Sequence, residues 1–177
     1  QTVDAERHGR YHKLIEEFMI AANETVASHL TWMQVPLIYR IHDRPAEDKI
    51  TNLDDFLGTL GLRLQRGAQI RSKDIQRLLN RVQGKPVEHL VNILTLRSMK
   101  QAVYSANNTG HFGLASTHYT HFTSPIRRYP DLMVHRILKD AWHGRGFSEK
   151  AVAKRRIYFE KIAEHSSMRE RVAMEAE

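Results

Sequence analysis

Proline at 125 and again at 130 restricts its neighbourhood more tightly than any other feature restricts the rest of the chain. A proline suits the first position of a helix and disrupts the interior, where it lacks an N–H and clashes with the preceding turn. The spacing therefore predicts a tight first turn opened by Pro125, then a main helix that ends at Gly144. Thr120, Thr123 and Ser124 lead into this segment, and Ser124 stands where an N-cap belongs. Arg127 and Arg128 fall in the first turn, beside N–H groups that have no partner within the helix. Those donors and the positive end of the helix dipole make an anion site, which two guanidinium forks would turn into a phosphate clamp. Taken alone, Ser-Pro-x-Arg-Arg reads more readily as a capped helix with two solvated arginines.

The rest of the pattern is mostly helical. From about Arg10 to Leu30, Leu14, Ile15, Phe18, Met19, Ala22 and Val26 recur at helical spacing. Pro36-Leu-Ile-Tyr-Arg-Ile41 is short and β-branched, which predicts a strand closing at His42-Asp43. A helix from about Leu53 should stop at Gly61, and Ser72 can cap another that runs to about Gln83. Pro86 should open a long helix with Val87, Leu90, Ile93, Leu94, Leu96, Met99 and Val103 inward. Asn107-Asn-Thr-Gly110 is a turn cluster. Residues 111–120 are expected to be extended, and Ser148 can cap a final helix. Gly144-Arg-Gly146 is the one obvious hinge. The fold class expected is α+β.

At 177 residues the chain can bury one proper core. A net charge of +7 and a pI near 9.8 imply a polyanionic partner or a basic protein surface. Residues 1–60 are net −4, whereas 61–110 hold 9 Lys/Arg against 2 Asp/Glu. That middle segment could line a path for nucleic acid or be an ordinary solvated face. Without cysteine there is no disulfide framework and no thiolate metal site, which suits the cytoplasm. No signal peptide is evident, and no apolar run approaches the length of a membrane span. The opening Gln-Thr-Val-Asp-Ala-Glu-Arg reads as an entry into the middle of a domain.

Three metal-like patterns are weak. His118-x-x-His121 with His111 nearby suggests zinc, but a structural zinc site needs four close ligands and no cysteine is present. His111 and His121 are better donors to backbone or phosphate. A lone His42-Asp43 lacks the further ligands of a phosphohydrolase site. Asp54-Asp55 is expected in the first turn of a short helix, where acids complement the dipole. Glu16, Met19 and Asn23 share one helical stripe, with Glu17 about a third of a turn away. An acid and an amide so placed could bind a ribose, position Arg127, or form a buried polar pair that sets helix packing. Tyr119, Phe122 and Tyr129 surround the arginines and are candidates for stacking on bases, with core packing the alternative for Phe122. Gly113 would let backbone approach a strand or nucleic acid closely.

The run His111-Phe-Gly-Leu-Ala115, followed by Tyr119-Thr-His-Phe-Thr-Ser-Pro-Ile-Arg-Arg-Tyr-Pro-Asp-Leu-Met-Val-His-Arg136, resembles the signature of the ribonuclease II/ribonuclease R family of exoribonucleases. His12-Lys-Leu-Ile-Glu-Glu-Phe-Met-Ile-Ala-Ala-Asn23, Tyr39-Arg-Ile-His-Asp-Arg-Pro45, Leu96-Arg-Ser-Met-Lys-Gln-Ala-Val-Tyr104 and His165-Ser-Ser-Met-Arg-Glu-Arg-Val-Ala-Met-Glu175 resemble the same catalytic domain, in the same order. The ribonuclease R branch fits slightly better. The resemblance implies that residues 1–177 are the helix-rich C-terminal part of an RNB-type catalytic domain with a few short strands. It implies 3′→5′ processive hydrolysis of single-stranded RNA to nucleoside 5′-monophosphates. Arg127 and Arg128 would be catalytic, with Arg128 orienting or bracing. Glu16 or Glu17, Asn23, His111, Gly113, Tyr119, His121, Thr123, Ser124, Tyr129 and Glu175 would contact RNA. Magnesium is implied too, but the family's cluster of aspartates is not in this sequence, so its ligands and the missing half of the domain should lie elsewhere. These residues alone should be inactive. A catalytically inactive RNA-binding or protein-docking module derived from the family is the other reading.

Overall fold

The computed structural model describes residues 2–65, 67, 69–145 and 148–176, with side chains described from Tyr11 onward. In chain order the elements are α1 (Thr2–Trp32), β1 (Tyr39–Ile41), α2 (Glu47–Thr59), α3 (Ser72–Val82), α4 (Glu88–Ser98), β2 (Val103–Ser105), a 3₁₀ turn (Phe112–Leu114), α5 (Tyr129–Trp142) and α6 (Glu149–Ala176). Helices with two short strands make this α+β, as the pattern requires. The chain forms two compact units. None of the helices is long and apolar enough to cross a membrane among the described residues.

The first unit combines Gln1–Ile41, Val103–Asn108 and His118–Glu177. Its sheet is one antiparallel pair, with Tyr39 opposite Ser105, Arg40 opposite Tyr104 and Ile41 opposite Val103. Two strands alone are marginal in water, and helices cover this pair. Ala27 and Leu30 of α1, Val134 and Ile137 of α5, and Phe159 and Ala163 of α6 bury against Leu37, Ile38 and Tyr104. The sheet's free edges are satisfied as well. Ser167 of α6 accepts the Tyr104 N–H at 2.9 Å, and the Arg40 N–H donates to the Tyr119 carbonyl at 2.9 Å. Only the second half of α1 is core. Tyr11, Leu14, Ile15 and Phe18 are each more than half exposed, so the helical periodicity there marks a face left open within the described residues.

The second unit, His42–Ala102 with Thr109–Thr117, packs α2 and α3 against α4. Ile50, Leu53, Leu57, Ile75, Leu78, Val82, Val91 and Phe112 form its core. Helix α2 starts at Glu47 rather than near Leu53, because Glu47 and Asp48 supply the acidic first turn straight after Pro45-Ala46. Asp54 therefore lies mid-helix, where it accepts the Leu64 N–H at 2.8 Å. Helix α3 is capped differently from expectation. Arg71 is the N-cap residue, and buried Asp74 accepts its N–H at 2.9 Å, which frees the Ser72 hydroxyl to bond the Phe112 carbonyl. The helix expected from Pro86 through Val103 stops at Ser98. Met99 is already extended and Val103 belongs to β2, so strand pairing overrides helical spacing, and Leu90 and Leu96 end up exposed.

Residues 111–120 are not simply extended. A 3₁₀ turn at Phe112–Leu114 ends at Ala115 in the left-handed region. The turn is anchored to His42. Its Nδ1 accepts the Gly113 N–H at 2.9 Å, while its Nε2 faces the Lys100 carbonyl at 2.7 Å and so carries the proton. Asp43 takes the Thr109 hydroxyl at 2.9 Å and the Lys100 ammonium at 3.4 Å. His42-Asp43 is thus a structural joint.

Candidate nucleic-acid interface

The arginine-bearing segment is held in place before its helix begins. Tyr119 and Thr120 run beside β1, where the Thr120 hydroxyl donates to the Ile38 carbonyl at 2.6 Å. The next three residues form a loop clamped from two helices. From α1, Asn23 accepts the Phe122 N–H at 2.9 Å and the Thr123 N–H at 3.3 Å, and gives its own amide N–H to the Tyr119 hydroxyl at 3.0 Å. From α5, the His135 ring stacks on Phe122 at 4.1 Å and 12°, and its Nε2 donates to the Phe122 carbonyl at 2.9 Å. Asn23 is only 3 % exposed. Of the readings open to it, the buried polar group that sets packing is the one its bonds describe.

Ser124 organises the turn through its backbone, which corrects its expected role as side-chain cap. Its carbonyl accepts the N–H groups of Arg127 (3.3 Å) and Arg128 (3.1 Å), closing one turn. Helix α5 then starts at Tyr129, with extended Arg128 at its N-cap and Pro130 in its first turn. Proline has no N–H to lose at that place, so two prolines produce a turn and then a helix. Ile126 and Arg127 occupy the exposed tip. The Arg127 guanidinium forms no hydrogen bond or ion pair among the described residues. Arg128 points inward: its side chain is 20 % exposed, and Nη2 meets Asp131 Oδ1 at 2.7 Å.

His121 joins this site through Tyr104 of β2, whose hydroxyl lies 2.9 Å from His121 Nδ1. Burial pushes the Tyr104 hydroxyl up to about 12, against the pull of the Arg40 guanidinium 4.6 Å above its ring; Glu170 adds to the rise. The phenol therefore keeps its proton at neutral pH. Arg40 is itself locked by a two-pronged pair with Glu170 at 2.6 and 3.0 Å.

The aromatic expectations need correction. Tyr119 is 7 % exposed and packed, so its face is not presented for stacking, and Phe122 is occupied by His135. Tyr129 is half exposed, with its hydroxyl bonded to Tyr158 of α6, which holds its proton more tightly than an ordinary phenol's. Glu16 and Glu17 are both exposed on α1, and Glu175 is exposed near the end of α6. None of the three pairs with another described residue. His111 and Gly113 belong to the second unit. There the close approach that a glycine permits is to His42: a Cβ on Gly113 would sit 2.8 Å from its Nδ1. In that unit α3 carries Lys73, Arg77 and Arg81 exposed along one stripe.

Asp131, His135 and Tyr104 were not singled out beforehand. Asp131 carried a usable signal, since an acid in the first turn of a helix is placed to engage whatever precedes it. Tyr104 carried none, because only strand pairing brings it to the site.

The Ser-Pro-x-Arg-Arg turn, braced by Asn23 and Asp131 on an α+β scaffold, lies within a segment that matches a known family. A match to the family described as "RNB domain" spans residues 1–144, and the chain belongs to that family, the ribonuclease II/ribonuclease R nucleases. Its relatives place it on the ribonuclease R branch. It is 49 % identical over 173 residues to Ribonuclease R of Aquifex aeolicus, covering 97 % of this chain and 24 % of that protein. Identity to Ribonuclease R of Thermotoga maritima is also 49 %, over 172 residues, with 97 % and 24 % covered. A solved structure described as Mycoplasma genitalium RNase R in complex with ribose methylated single-stranded RNA superposes with a TM-score of 0.83 at 38 % identity, covering 90 % of this chain and 25 % of that one. The chain thus spans about a quarter of the length of these relatives. Nucleases of this family imply a divalent metal. The residues here do not fit one: among the described residues, none of the His, Asp and Glu side chains gather in a group of three or more able to hold an ion.

Proposed function

We propose that this chain is part of a processive 3′→5′ exoribonuclease that hydrolyses single-stranded RNA to nucleoside 5′-monophosphates, acting in the cytoplasm. The reading assigns magnesium as the metal and places its ligands, with the other half of the catalytic domain, beyond these 177 residues. The observation that carries it is Arg127: an unpaired guanidinium at the exposed tip of a turn whose base is fixed from two helices. Rigid support and a free fork are what a transition-state contact requires, since reorganisation is completed before the substrate arrives.

In hydrolysis water adds to the terminal phosphorus and the P–O3′ bond breaks. The phosphate leaves on the released nucleotide, and the shortened RNA keeps a 3′-hydroxyl. Arg127 meets the charge that grows on the non-bridging oxygens. Glu16 or Glu17, Thr123, Ser124, His121, Tyr129, Glu175, and Gly113 with His111 are the remaining contacts we assign to the RNA, while Asn23 and Tyr119 act through the loop they hold. The basic stripe on α3 adds sequence-independent phosphate attraction.

In the full-length protein, Arg127→Ala should lower turnover on a 3′-labelled single strand by about 10²–10³ while RNA affinity changes little, as loss of one preorganised donor does. Equal losses of both would reduce Arg127 to a positioning contact. A wild-type protein that binds RNA but releases no mononucleotides would leave the inactive RNA-binding module.

A further inference from the structure

The buried carboxylate of Asp131 is not explained as a helix cap. An acid in a first turn ordinarily faces its own helix's free N–H groups or solvent. Asp131 is fully buried, and both of its hydrogen bonds run backwards, out of α5. Oδ1 accepts the Ser124 N–H at 2.8 Å and Arg128 Nη2 at 2.7 Å, so one oxygen ties the first residue of the arginine turn to its last. Arg128 is consumed by this contact, with its Nε buried and without a partner among the described residues. Asp131 Oδ2 and the Thr123 hydroxyl are in the same condition. A charge pair held this far from solvent is kept at a desolvation penalty and is a poor stabiliser compared with apolar packing, so its retention points to geometry.

We infer that Asp131 is the positioning residue for Arg127: with Arg128 as its counter-ion it sets the shape of the 124–128 turn, and so the place and direction of the Arg127 guanidinium. Arg128 is then a brace and not a second phosphate ligand. One of its terminal N–H groups is committed to Asp131 and its Nε is buried, so it lacks the free fork that Arg127 presents. The assignment rests on the exoribonuclease reading, because that reading supplies the work Arg127 does.

A double-mutant cycle in the full-length enzyme tests it. Asp131→Asn keeps the side chain's shape and an acceptor for the Ser124 N–H but removes the charge that fixes Arg128. Misplacing a catalytic group by about an ångström can lose as much as 10² in rate, so kcat should fall about 10- to 100-fold, with the Kd for single-stranded RNA within about 3-fold. The decisive comparison is made on the Arg127→Ala background. There Asp131→Asn should lower kcat by less than about 3-fold further, because a misplaced group that is already absent cannot be lost again. Losses that multiply would show that Asp131 acts elsewhere and would overturn the inference, while leaving the exoribonuclease assignment intact. An Arg127→Ala enzyme of normal turnover would instead remove that assignment's foundation, whatever Asp131 does. If Asp131→Asn unfolds at the assay temperature, the neutral pair Asp131→Asn with Arg128→Gln is run through the same cycle. It should show the same non-multiplying pattern, and multiplying losses would again refute the brace.

Discussion

Asn23→Leu isolates the clamp between α1 and the loop at 122–124. The substitution preserves shape but removes three bonds: those from the Phe122 N–H and the Thr123 N–H, and the one to the Tyr119 hydroxyl, at 2.9, 3.3 and 3.0 Å in the native fold. A buried group stripped of its partner loses about 1–3 kcal/mol. Phe122 and Tyr119 fall within that range, and the long Thr123 bond adds less than about 1 kcal/mol, so the variant should lose about 3–4 kcal/mol. For a chain of this size that corresponds to roughly 10 °C in Tm. Tyr119→Phe removes one of the three bonds and should lose about 1 kcal/mol, but less than that when added to Asn23→Leu, where this bond is already gone. Urea denaturation of the four proteins measures both effects, provided the m-values agree. A loss below about 1 kcal/mol for Asn23→Leu, or additive losses in the double variant, would refute the claim that this amide holds the loop.

Three further outcomes follow from the geometry. Tyr104 titrates higher folded (about 12) than unfolded (10.0), so the stability it contributes should be complete below pH 10 and disappear between pH 10 and 12; denaturation across that range should flatten in Tyr104→Phe. Gly113→Ala drives a methyl to 2.8 Å from His42 Nδ1 and breaks the Gly113 N–H bond to it, so it should destabilise the second unit by about 1–3 kcal/mol, read by hydrogen exchange across α2 to α4. RNA affinity should fall steeply as salt rises, and Lys73→Ala with Arg77→Ala should reduce the slope of log K against log salt by about 1 for each phosphate contact removed; a salt-independent affinity would favour an apolar protein partner instead.

Local chemistry was readable from residue order alone. The two prolines dictated a turn followed by a helix, Ser148 capped α6 with its hydroxyl 3.3 Å from the Ala151 N–H, and Gly144 closed α5 with φ of +64°. The signature run carried the family, because its spacing is contained within one segment. Element ends were less accessible wherever a distant partner competed with local preference: α4 stopped early because Val103 pairs with Ile41, and Ser72 gave up its cap to bond Phe112. Which way each of the two arginines faces was beyond sequence altogether. Adjacent residues of the same type differ only in what surrounds them, and it took Asp131, buried by the packing of α5, to turn Arg128 inward and leave Arg127 facing out. Periodicity and turn chemistry act over a few residues and so are written in sequence. Burial and charge pairing depend on which surfaces meet, and only the folded chain decides that.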